Sequence, residues 1–141
     1  MSGFLLDTSV ISELVKGRPN PNITHWIDAI DEDLLYLSVL TLGEIRRGTA
    51  SLPDAARRVK LETWLDRELV LRFSDRILPI DLAIADRWGR LTGTASARKS
   101  LLPVIDGLLA ATAVHYDLAL VTRDTKHLTG TGVAFFNPWE A

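Results

Sequence analysis

The sequence contains no cysteine. That excludes a disulfide framework, a thiolate zinc site and a cysteine nucleophile, and it suits a reducing compartment. Long apolar runs are also missing: no segment approaches the roughly 18 consecutive apolar residues of a membrane-spanning helix. The run Phe4-Leu5-Leu6 has no basic stretch before it and ends on Asp7, so it does not read as a secretory signal. A cytoplasmic protein is expected. Positive charge is not in excess, with 16 Lys and Arg against 18 Asp and Glu, a net of −2. Taken alone, that balance argues against nucleic acid as a partner. His25, His115 and His127 lack ligand spacing and read as structural or surface residues.

What is present belongs to a folded domain. The 141 residues are 47% hydrophobic and 24% charged, with no repeat, linker or low-complexity tract. One globular unit over residues 1–141 is expected. Short apolar runs at Phe4–Leu6, Leu34–Val39, Ile77–Ile80, Leu118–Val121 and Val133–Phe136 read as strands. Between them lie helical patterns. Thr8 or Ser9 can cap a helix carrying Val10, Ile11 and Leu14, and Ile23, Trp26, Ile27 and Ile30 share one face of the next. Thr41–Gly48 reads as a helix ended by its glycine, and Pro53–Phe73 as a longer one. Ile84, Trp88 and Leu91 mark another, and Pro103 opens a last helix over Val104–Tyr116. Strands alternating with helices predict an α/β fold: a three-layer α/β/α sandwich around a mostly parallel sheet.

In such sheets function sits beyond the carboxyl ends of the strands. Asp7 directly follows the first strand, and Asp124 follows the fourth after Thr122 and Arg123. Asp106 shares a helix face with Leu109, Ala110 and Ala113, and Glu44 lies on a stripe with Leu40, Thr41 and Gly48. An inward carboxylate must pair, protonate or bind a metal. Several meeting at one sheet edge repel unless a divalent cation lies between them, and an all-oxygen set suits Mg²⁺ or Mn²⁺. Each acid has a local reading too: helix cap for Asp7, first-turn residue for Asp106, turn residue for Asp124, solvated helix residue for Glu44. Patterning alone does not bring the four together.

Two near-matches fail. Gly93–Ser100 is similar to a phosphate-binding loop, but Arg98 replaces the required second glycine and a helix precedes it. Asp7-Thr8-Ser9 lacks the second aspartate of an aspartate-nucleophile phosphatase. Arg46, Arg47, Arg98, Lys99, Arg123 and Lys126 flank the acids and are candidates for contacting substrate phosphates. The basic residues of Pro53–Phe73, Arg57 among them, read as the polar face of their helix.

Four segments carry a resemblance. Leu5-Leu6-Asp7-Thr8-Ser9, Thr41-Leu42-Gly43-Glu44-Ile45-Arg46-Arg47-Gly48, the run from Val104-Ile105-Asp106-Gly107 to Ala113, and Val121-Thr122-Arg123-Asp124-Thr125-Lys126-His127-Leu128 resemble, in order, the motifs of the PIN-domain family. The chain looks most like VapC-type toxins of type II toxin–antitoxin systems, in the FitB-like subgroup, whose ending is also similar to Phe136-Asn137-Pro138-Trp139. The resemblance implies a Mg²⁺- or Mn²⁺-dependent endoribonuclease leaving 5′-phosphate and 3′-hydroxyl ends. It implies that Asp7, Glu44, Asp106 and Asp124 are the metal-binding, catalytic quartet, with Ser9 and Thr122 supporting it. It also implies a cognate antitoxin and a homodimer. A non-catalytic scaffold of this fold and a Mg²⁺-dependent phosphomonoesterase of another α/β family are the rival readings. Without the four acids, sixteen basic residues face fourteen acidic ones. The net negative charge is then partly the site itself, and RNA affinity should rest on a few local cations with a modest salt dependence.

Overall fold

A computed structural model describes residues 2–94 and 102–140. Five short strands form one parallel sheet in the order β3-β2-β1-β4-β5. They are β1 (Phe4–Leu6), β2 (Leu35–Ser38), β3 (Ile77–Leu78), β4 (Ala119–Val121) and β5 (Phe135–Phe136). The helices are α1 (Thr8–Leu14), α2 (Pro21–Ala29), α3 (Val39–Ala50), α4 (Ala55–Trp64), α5 (Val70–Arg72), α6 (Leu82–Gly93) and α7 (Val104–His115).

Adjacent residues of the central strand show why both faces are covered. Leu6 packs with Val10, Ile11, Ile23, Ile27 and Phe73 on one face. Leu5 packs with Leu109, Ala110, Ala113 and Leu120 on the other. Both leucines are fully buried. A strand apolar at every position, with helices above and below, is the expected signature of a parallel sheet. The α/β/α layering is therefore as expected. The two edge strands, β3 and β5, are only two residues long, which limits edge-to-edge pairing with other chains.

The structure corrects three local expectations. Asp7, not Thr8 or Ser9, caps α1: its carboxylate accepts from the Thr8 N–H at 2.8 Å, and Thr8 is already helical. Helix α3 runs through Gly48 to Ala50, because Thr49 is buried and bonds back to the Arg46 carbonyl at 3.0 Å. Tertiary packing outweighs the glycine stop signal there. The expected long helix starts after Asp54, which caps α4, and passes through a π-helical stretch, Leu65–Leu69, before α5. That stretch buries Leu65 and Leu69 against the core. Trp26 is held between Phe4 and Phe136, with ring centroids 5.1 and 5.4 Å away, so it belongs to the packing of the sheet end.

Candidate metal centre and nuclease site

The sheet order reverses direction at β1, so the chain leaves β1 and β4 side by side with a crevice beyond their carboxyl ends. Asp7 ends β1, and its N–H donates to the Val121 carbonyl at 2.9 Å. The chain leaving β4 carries buried Thr122 and then exposed Asp124. Helix α7 packs over β4 and presents Asp106 from its first turn. Helix α3 follows β2, the other neighbour of β1, and presents Glu44 from its middle.

The hydroxyls around Asp7 fix its carboxylate. Ser9 Oγ donates to Oδ2 at 2.8 Å and Thr122 Oγ1 donates to the same oxygen at 2.9 Å. The Thr122 hydroxyl oxygen also accepts from the Asp124 N–H at 3.3 Å, so one side chain positions two acids. Thr8 Oγ1 donates to Glu44 Oε1 at 2.5 Å.

Asp106 reports the convergence. Its carboxyl is pushed above the usual aspartate range, first by burial, then by the negative charges of Asp7, Asp124 and Glu44, with His127 opposing. Asp7, Asp106, Thr122, Asp124 and His127 line one small cavity of about 10 Å³, room for a single water-sized particle. Glu44 stands at the neighbouring cavity with Thr8.

Among the described residues no three His, Asp or Glu side chains are arranged so that they could hold a metal ion as they stand. The donor set nevertheless suits one in kind. It is all carboxylate and carries surplus negative charge. Among the described residues none of the four acids pairs with Lys or Arg, and the one basic neighbour within 4 Å is His127, whose Nε2 lies 3.9 Å from Asp124 Oδ2. That balance fits a hard divalent cation.

The chain's overall similarity decides the family. The PIN domain description matches residues 4–129. The chain belongs to the PIN-domain family. Within it the chain falls among the VapC toxins. It is 38% identical over 137 residues to VapC ribonuclease Y4jK of Sinorhizobium fredii, covering 97% of this chain and 98% of that one. It is 36% identical over 136 residues to toxin FitB of Neisseria gonorrhoeae, covering 96% and 98%. The crystal structure of FitAcB from Neisseria gonorrhoeae superposes with a TM-score of 0.92 at 35% identity, over 98% of this chain and 99% of that one.

The basic residues of this PIN domain divide into two groups. Arg46 is already held by Asp66 and Glu62 of the π-helical stretch and α4. Arg123 lies over the Trp139 ring, 5.3 Å from its centroid. Arg47 and Lys126 are exposed. Arg98 and Lys99 lie outside the described residues. Two site residues escape sequence reasoning. His127 lines the acid cavity although its spacing carries no ligand pattern, and Thr8 holds Glu44 although it looks like a helix cap. Both lie inside the segments that carry the family resemblance, Thr8 directly after Asp7 and His127 three residues after Asp124.

Proposed function

We propose that this chain is a divalent-metal-dependent endoribonuclease, the toxin of a toxin–antitoxin pair, acting as one domain in the cytoplasm. Asp7, Glu44, Asp106 and Asp124 would hold Mg²⁺ or Mn²⁺, and Ser9 and Thr122 would support them. The observation that carries the reading is the charge balance at Asp106: three further carboxylates act on it at a sheet switch point. No arginine or lysine answers them among the described residues.

When bound, the cation supplies Lewis acidity and a more acidic water for phosphodiester hydrolysis. The chain's own residues set the stage. Two hydroxyls and one amide hold Asp7 in a single orientation, and Thr8 does the same for Glu44. Arg47 and Lys126 are exposed and would draw in the phosphate backbone. Hydrolysis of this type makes no use of the 2′-hydroxyl, so preference for RNA must come from contacts away from the acids.

The toxin role is supported by the likeness to FitB, and a partnered state by the neighbour solved as FitAB bound to a DNA fragment. A cognate antitoxin and a homodimer are part of the proposal. Among the described residues no helix is long and apolar enough to cross a membrane. Induced expression in a bacterial host tests the reading. Growth should arrest and RNA fragments with 5′-phosphate ends should accumulate, whereas Asp106→Asn should give neither. Arrest with intact RNA would contradict it.

A further inference from the structure

A second cavity, of about 200 Å³, opens beside the acid site and shares Thr8 and Glu44 with it. Its walls include Ile11, Ile45, Leu61 and Trp64. It continues past Val15 and Trp64 into further open space lined by Leu14 and Glu68, so it is the end of a longer groove that lies nearest the acids. Arg57 also lines it and is exposed. Its neighbours Arg46 and Arg58 are engaged by Glu62 and Asp66, but the Arg57 guanidinium pairs with no carboxylate among the described residues.

Gly48 gives a handle on the cavity. It lies inside α3 and lines the cavity, yet a Cβ added there would meet nothing within 4 Å. The fold has no steric need for glycine at this position, and an interior glycine weakens a helix. A side chain added at Gly48 would stand in open space at the rim of the cavity, as one at Gly43 of the same helix would stand in open space.

We infer that this cavity is a nucleotide subsite for single-stranded RNA. An unstacked base enters against Trp64 and the aliphatic walls, and Arg57 meets a neighbouring phosphate. Splayed bases on aromatic and apolar surfaces are the usual way proteins read single strands, and stacking tolerates any base while ranking them. The shared Thr8 and Glu44 place this nucleotide next to the one whose phosphate is cut. The inference rests on the ribonuclease reading above and extends it to substrate selection.

The test is fluorescence anisotropy with short single-stranded poly(A), poly(C), poly(G) and poly(U), in an Asp106→Asn parent with Mg²⁺ so that no turnover occurs. Gly48→Leu fills the cavity, and its melting curve should show a fold at least as stable as the parent's. It should weaken binding by about fivefold or more, the lower range for losing one stacked base, and flatten the ranking of the four homopolymers. Arg57→Ala should weaken all four alike and reduce the salt dependence. Arg90→Ala, on the exposed face of α6, should change neither. A folded Gly48→Leu that keeps the parent's affinity and ranking overturns the inference and leaves the cavity to an apolar protein segment. If the parent binds no RNA and the wild type cuts none, the ribonuclease reading falls as well, a result distinct from the first.

Discussion

Thr8 and Glu44, 36 residues apart in sequence, are joined by a hydrogen bond from the threonine hydroxyl to Oε1. The contact ties the first turn of α1 to the middle of α3 and aims an otherwise mobile glutamate at the site. Thr8→Val keeps the shape and removes the donor. Mn²⁺ affinity, read by calorimetry, should fall about tenfold, the usual scale for losing a partner that orients a ligand. Thr8→Ser should restore it. Equal affinity in all three proteins would show that Glu44 needs no such support.

Asp106 ties stability to pH. Its folded-state carboxyl is raised, so the folded chain holds the proton more tightly than the unfolded one. Stability from this group therefore falls as pH rises from the ordinary aspartate value of about 3.8 through the higher folded value. In EDTA at neutral pH, Asp106→Asn should melt a few degrees above the wild type. That gain should disappear below the ordinary value. A variant that melts lower at neutral pH would contradict the repulsion at this site.

Glu13 has the opposite sign. Its carboxyl is held below the usual range, first by the Lys16 ammonium at 2.9 Å and then by the Asn20 N–H at 2.9 Å. The stabilisation is present above the ordinary value of about 4.5 and is lost as pH falls through the lower folded value. Glu13→Gln should lower the melting temperature at pH 7, and the difference from wild type should close at strongly acidic pH.

Gly107 sets the spacing of α6 and α7. A Cβ there would meet Trp88 Nε1 at 2.9 Å and Thr92 Cγ2 at 3.2 Å. Trp88 Nε1 is itself buried without a hydrogen-bond partner among the described residues, so that edge of the ring has no room to give. Gly107→Ala should cost about 1–3 kcal/mol in chemical denaturation, the range for overpacking. Because Asp106 is the adjacent residue, activity should fall with it.

The layers and the placement of Asp7 and Asp106 were legible in the sequence because they rest on local signals, whereas the grouping of the four acids came from the family resemblance. Apolar runs of strand length, helical spacing around Asp106 and the position of Asp7 after a strand are all short-range patterns. What escaped the sequence depends on partners far along the chain. Arg46 looked free for substrate but is held by Asp66, twenty residues on. Arg57 looked like a solvated helix residue but stands at a cavity formed with α1 and α3. Gly48 looked like a helix stop because its local propensity says so, and the burial of Thr49 that carries the helix onward is a tertiary effect. His127 reaches the acid cavity through the short turn after Asp124, a geometry that helix and strand spacing do not encode.

The central claim is that four carboxylates cut RNA by holding a divalent cation. The most direct measurement compares wild type and Asp106→Asn on total RNA with Mg²⁺ or Mn²⁺, and wild type again in EDTA. Cleavage with 5′-phosphate products should appear only for wild type with the cation. Removing the ligand should lower the rate by about a thousandfold, the order expected when several kcal/mol of transition-state stabilisation are lost. Cleavage that survives both the substitution and the chelator would contradict the account.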